Sequence, residues 1–160
     1  MRVLGIDPGA HGALALLTRH DVIVHPMPNL LVRRGKTDKA EVDGHSLWRL
    51  LSDLSPDVCY LEQVGGVQGQ AAGAAFNFGR AAGAPEYLCI AAGIRLIRVT
   101  PMRWKKALRL GQGKDEMRAA AMRLWPAQAA LFGKRRVDFA EAALIAEYGR
   151  KQEGETSVFD

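Results

Sequence analysis

Three short apolar runs crowd into the first 24 residues: 2–7, 12–18 and the β-branched Val22-Ile23-Val24. The gaps between them are short enough for hairpins, so the chain must open with a small antiparallel meander. Pro26-Met27-Pro28 and Arg33-Arg34-Gly35-Lys36 then predict an exposed connection. Asp43 is placed to cap a helix whose stripe is Leu47, Leu50, Leu51 and Leu54, and Ser55-Pro56-Asp57 breaks it. Residues 58–64 form the next apolar strand, followed by Gly65, Gly66 and Gly69. An alanine-rich helix is expected over 71–92, interrupted near Gly83 and Pro85, then a strand over 94–100 and a helix opening at Pro101. Gly111-Gln112-Gly113 separates that helix from one over 114–125, stopped before Pro126, and a last helix covers 137–150. The order is three strands, helix, strand, helix, strand, helices, without repeat or dividing linker. A single α/β domain over 1–152 follows, a mixed sheet covered by helices, with 153–160 as a frayed tail.

The 160 residues suffice for one domain with a real core, and 48% apolar with 24% charged is a globular balance. Runs such as 13–17 and 142–146 are far too short to span a bilayer. The start, Met1-Arg2-Val3-Leu4-Gly5-Ile6-Asp7, turns glycine-rich and acidic too early for a signal peptide, so a cytoplasmic location is expected. Cys59 and Cys89 sit in apolar surroundings and read as reduced core thiols, with a disulfide or a metal pair as the alternative. Net charge is +5, but residues 95–136 hold twelve Lys and Arg against Asp115 and Glu116, a local +10, leaving −5 elsewhere. Such segregation points to a positive face for a polyanion, though a merely solvated basic surface has the same composition.

Four acids stand out. Asp7 ends the first strand before a Pro-Gly turn, and Glu62 ends the apolar run Cys59-Tyr60-Leu61-Glu62. Asp138 and Glu141 lie three apart near the start of the last helix, hence on one face. A carboxylate at the end of a buried strand is costly to desolvate unless compensated, and a shared divalent cation compensates several at once. Mg²⁺ takes hard oxygen ligands and keeps some waters, and two ions roughly 3.5–4 Å apart stabilise both oxygens of a phosphodiester displacement. Each acid also has a simpler reading: Asp7 fixing its turn, Glu62 facing solvent, Asp138 and Glu141 forming a capping box.

In order along the chain, Gly5-Ile6-Asp7-Pro8-Gly9, Leu61-Glu62-Gln63-Val64 and Asp138-Phe139-Ala140-Glu141-Ala142-Ala143 resemble the RuvC family of Holliday-junction resolvases, most of all its phage-type members. Phe76-Asn77-Phe78-Gly79-Arg80, Thr100-Pro101 with Trp104-Lys105-Lys106, and Gly113-Lys114-Asp115 extend the likeness over about residues 1–150. The resemblance implies an RNase H-like fold, a two-fold homodimer, four-way junction DNA as partner, a role in recombination and repair, and paired nicks made with two Mg²⁺ ions, for which Mn²⁺ substitutes. By motif position Asp7, Glu62, Asp138 and Glu141 become metal ligands and catalytic residues, and Lys105, Lys106, Lys114 and Arg118 contact phosphates, with a solvated helix face as their alternative. If the chain is phage-encoded, the bacterial host's cytoplasm is its place of work. Two departures matter: Gly65-Gly66 replaces the aromatic residue that follows Glu-Gln-Val in cellular members, and Glu141 is longer than the Asp usual there. Phe76 or Phe78 is available to replace the aromatic, although phenylalanines in an alanine-rich helix are more often core.

Gly111-Gln112-Gly113-Lys114 is no phosphate loop, since Leu108 stands where the first glycine belongs and Asp115 follows the lysine. No nucleotide cofactor is therefore expected. The opening motif is also similar to the actin-like kinase fold, which needs two related halves. His11, His20, His25 and His45 lack zinc-ligand spacing. Three functions remain: junction-resolving endonuclease, RNase H-like nuclease acting on RNA or flapped DNA, and a non-catalytic nucleic-acid-binding module.

Overall fold

A computed structural model describes residues 1–19, 21–66 and 68–154. His20 and tail residues 155–160 lie outside the described residues. The opening meander forms as expected: β1 (Val3–Asp7), β2 (Ala13–Leu17) and β3 (Val22–Pro26) pair antiparallel, Ile6 facing Leu14 and Ala15 facing Val24. β6 (Val58–Glu62) joins the other side of β1 in parallel, and β7 (Arg95–Val99) pairs in parallel with β6. The sheet order is β3-β2-β1-β6-β7, a mixed sheet within one domain.

Alternation sorts side chains to two faces. Leu4, Ile6, Leu14, Leu16, Cys59 and Leu61 pack with α1 (Gly44–Leu54) and α2 (Ala72–Ala91). Val3, Ala13, Ala15, Val58, Tyr60 and Val99 face α4 (Lys114–Leu124) and α5 (Val137–Gln152). α3 (Pro101–Ala107) starts at a Thr100 cap and lays Trp104 into this second core. Gly5 sets the seating of α5: a Cβ there would fall 2.2 Å from the Ala142 carbonyl oxygen and 2.4 Å from the Ala146 nitrogen. Only a glycine admits the helix this close to the central strand.

Three expectations are corrected. The exposed connection is a hairpin, β4 (Asn29–Arg34) with β5 (Thr37–Val42), turned at Gly35-Lys36, where Gly35 takes φ +65° as a two-residue hairpin requires. α2 runs unbroken through Pro85, because burial of that ring offsets the one backbone bond it forgoes. α4 stops before Pro126 as expected, and Pro126–Phe132 follows as a 3₁₀ segment that buries Phe132. Glu153 is not frayed: it accepts from the Tyr60 hydroxyl at 2.8 Å and from Arg95 at 2.6 Å. Cys59 and Cys89 are buried free thiols, as a reduced core pair should be. No described helix is long and apolar enough to cross a membrane.

Candidate active site

Parity and register bring the acids together. Asp7 continues the Val3, Gly5 face of β1, and Glu62 continues the Val58, Tyr60 face of β6, so both point to the α5 side. Ile6 stands opposite Leu61, which carries the two carboxylates to the same end of neighbouring parallel strands. α5 crosses β1 at Ala142 and Ala146, with its first turns beyond them toward Asp7. Those turns carry Asp138 and Glu141.

The electrostatics reflect this placement. Burial pushes the Asp7 carboxyl from the ordinary 3.8 up to about 8, and the neighbouring charges of Glu141, Glu62 and Asp138 push the same way, with Lys105 opposing them. Glu62 is also raised by burial and by Glu141, partly offset by the Trp104 indole and Lys105. Asp138 is raised by burial against the pull of first-turn backbone N–H groups and Arg136. The helix cap is Arg136 rather than Asp138, so the capping-box reading fails: Asp138 sits at the second helical position. One mostly buried acid thus feels the three others at once, an arrangement that favours a cation or a proton.

Neighbouring donors hold two of the acids. The Trp104 indole Nε1–H donates to Glu62 Oε1 at 2.8 Å, and Lys105 Nζ lies 3.5 Å from Glu141 Oε1. Lys105 is only 8% exposed, its ammonium 5.1 Å from the Trp104 ring centroid. Among the described residues no three His, Cys, Asp or Glu side chains are grouped tightly enough to enclose one metal ion. The donor set nevertheless suits a hard divalent cation, being four partly buried carboxylates of which Asp7 feels the charges of the other three.

The four expected phosphate contacts divide. Lys105 is no solvated surface residue: it is buried and points toward Glu141, which corrects the solvated-face reading. Lys106 and Lys114 are exposed, with no ion pair among the described residues. Arg118 is engaged with Asp115. Trp104 had no role assigned from sequence, although its place one turn after Thr100-Pro101, beside two lysines, was a signal. Phe76 is not core, at 64% exposed, with the Arg80 guanidinium 5.9 Å from its ring. A cleft of about 380 Å³ runs from Glu62 past Gly65 to Phe78, Tyr87 and Arg98.

No sequence-family model and no curated protein matches this chain. Solved structures do. Thermus thermophilus RuvC in complex with a Holliday junction substrate aligns over 96% of both chains with TM-score 0.62 and 18% identity. Another Thermus thermophilus RuvC structure aligns over 98% of this chain and 99% of that one, with TM-score 0.53 and 20% identity. The yeast mitochondrial Holliday junction resolvase Ydc2 aligns over 96% of this chain and 79% of its own, with TM-score 0.55 and 17% identity. The fold is therefore RNase H-like. Within that class it is the arrangement built in RuvC and Ydc2.

Proposed function

We propose that this chain is a divalent-cation-dependent endonuclease that resolves four-way DNA junctions by paired nicks, working as a homodimer. The observation that carries the reading is the placement of Asp7 among Glu62, Asp138 and Glu141 at the ends of two central strands of a RuvC-like fold. The junction substrate of the Thermus protein and the resolvase activity named for Ydc2 support the choice of DNA structure.

In this reading Asp7, Glu62, Asp138 and Glu141 hold two Mg²⁺ ions, with Mn²⁺ as a substitute. Bound cations supply charge to the attacking and leaving oxygens of an in-line displacement. The rest falls to the protein. Trp104 fixes the Glu62 rotamer through its indole N–H. Lys105 holds a positive charge beside Glu141, where negative charge on the phosphate grows as the water oxygen bonds phosphorus and the sugar oxygen departs. Lys106 and Lys114 meet flanking phosphates, which position the DNA without reading its sequence. Phe76 offers an exposed ring for an unpaired base, the task that Gly65-Gly66 is unable to perform. Two such sites about a two-fold axis cut two strands of like polarity.

The test incubates purified protein and Mg²⁺ with a synthetic four-way junction, a flapped duplex and an RNA–DNA hybrid. Symmetric junction nicks are expected. Preferential cutting of flaps or RNA selects the broader nuclease, and binding without any cut selects the non-catalytic module.

A further inference from the structure

The β4–β5 hairpin pairs with no strand of the main sheet. Its outer half carries Arg33, Arg34, Lys36 and Lys39 within seven residues. Arg33 pairs across the ribbon with Asp38 at 3.1 Å, and Arg34 is held by Glu41, which also receives Arg80 of α2 at 3.5 Å. Lys36 and Lys39 are exposed, with no hydrogen bond or ion pair among the described residues. The ribbon's attachment to the body uses other groups, Val42 against the α1 and α2 core and the Glu41–Arg80 pair.

The base of the ribbon is moored beside the candidate active site. Asn29 Nδ2 donates to the Ala10 carbonyl at 2.9 Å, and the Met27 N–H donates to the Gly12 carbonyl at 2.8 Å. Ala10 and Gly12 belong to the turn that begins directly after Asp7. Six-residue strands at roughly 3.4 Å per residue carry the tip about 20 Å outward. A two-stranded ribbon is also a shape that duplex DNA accepts against its backbone and major groove.

We infer that this ribbon is a second DNA contact, with Lys36 and Lys39 at its tip and Arg33 beside them binding backbone phosphates of a duplex arm leaving the cleavage site. The inference rests on the branched-DNA reading above and adds a surface outside the basic segment 95–136. Charge complementarity selects the occupant: two uncommitted ammonium groups on an extended, solvent-facing ribbon suit a phosphate ridge.

The experiment measures binding of a fluorescein-labelled four-way junction by anisotropy, in EDTA, across a salt series. Lys36→Glu/Lys39→Glu is compared with wild type and with Arg19→Glu/Arg49→Glu, which makes the same charge change at exposed sites off the ribbon. The ribbon variant is expected to bind about tenfold or more weakly, with a log–log salt slope shallower by about 2, while the control stays within about twofold of wild type. Lys36→Gln/Lys39→Gln, which adds no negative charge, is expected to show the same loss of slope. A ribbon variant with the wild-type slope, or equal losses in ribbon and control variants, overturns the inference. Wild-type cleavage is scored separately. Binding through the ribbon without any cutting defeats the nuclease reading alone, and cutting with unchanged ribbon slopes defeats the ribbon alone.

Discussion

At the scale of single residues, Asp7 is where the energetic cost concentrates. Its folded carboxyl titrates near 8 against an ordinary 3.8, so the folded state prefers the proton. The sign follows: this residue costs nothing below about pH 4, and its cost grows until ionisation is complete above about pH 8. In EDTA, Asp7→Asn is therefore expected to match wild type in thermal stability at low pH and to exceed it increasingly toward pH 8, by an amount on the order of a few kcal/mol. Thermal melts across that range check it, and equal melting points at pH 8 contradict it. Trp104 and Lys105 act on the same cluster from α3. Trp104→Phe leaves the ring and removes the donor to Glu62, and Lys105→Met leaves the alkyl stem and removes the charge beside Glu141. Each is expected to slow single-turnover junction cleavage by about 10- to 100-fold with junction affinity intact. A variant that loses affinity and keeps its rate at saturation assigns that residue to binding.

Among the elements, the approach of α5 to β1 determines whether the acids meet. Gly5→Ala puts a methyl group 2.2 Å from a backbone oxygen of α5, so helix or strand has to shift. A loss of about 3 kcal/mol or more in urea unfolding is expected, and a midpoint equal to wild type would show that the seating is soft. This same approach separates what was legible in the sequence from what was not. The five sheet strands and α1, α3, α4 and α5 announced themselves through apolar runs, the Asp43 and Thr100 caps and Pro101, because local rules govern them. The order Asp7, Glu62, Asp138 and Glu141 was legible as a motif, since strand parity sends the first two to one face. The ribbon was missed because its alternation of Leu30, Val32 and Arg34 is weak and its basic turn resembles a loop. The interruption expected at Pro85 failed because tertiary burial outweighs a local breaker. The burial of Lys105 was not legible for a similar reason: a lysine next to Lys106 on a short helix also reads as solvated, and only packing against Trp104 and Glu141 turns it inward.

Over the whole molecule, the four candidate acids gather at the ends of β1 and β6 and the start of α5, while a run of cations lies on α3, α4 and the segment before α5. Junction affinity is expected to fall steeply with salt, about 0.9 in log–log slope per phosphate contacted, and a flat response in anisotropy titrations would remove the basic face from binding. Loading of the acidic cluster has its own signature: millimolar Mg²⁺ should raise the melting point of wild type more than that of Asp7→Asn, since a ligand stabilises the state that binds it. The most direct measurement is single-turnover cleavage of an end-labelled four-way junction by wild type and Asp7→Asn across a Mg²⁺ titration, with both products mapped to the nucleotide. The expected result is Mg²⁺-dependent, symmetry-related nicks from wild type and none from Asp7→Asn, although both bind the junction. Cutting by Asp7→Asn at the wild-type rate, or no wild-type cutting at any Mg²⁺ concentration, would contradict a catalytic centre built on these four carboxylates.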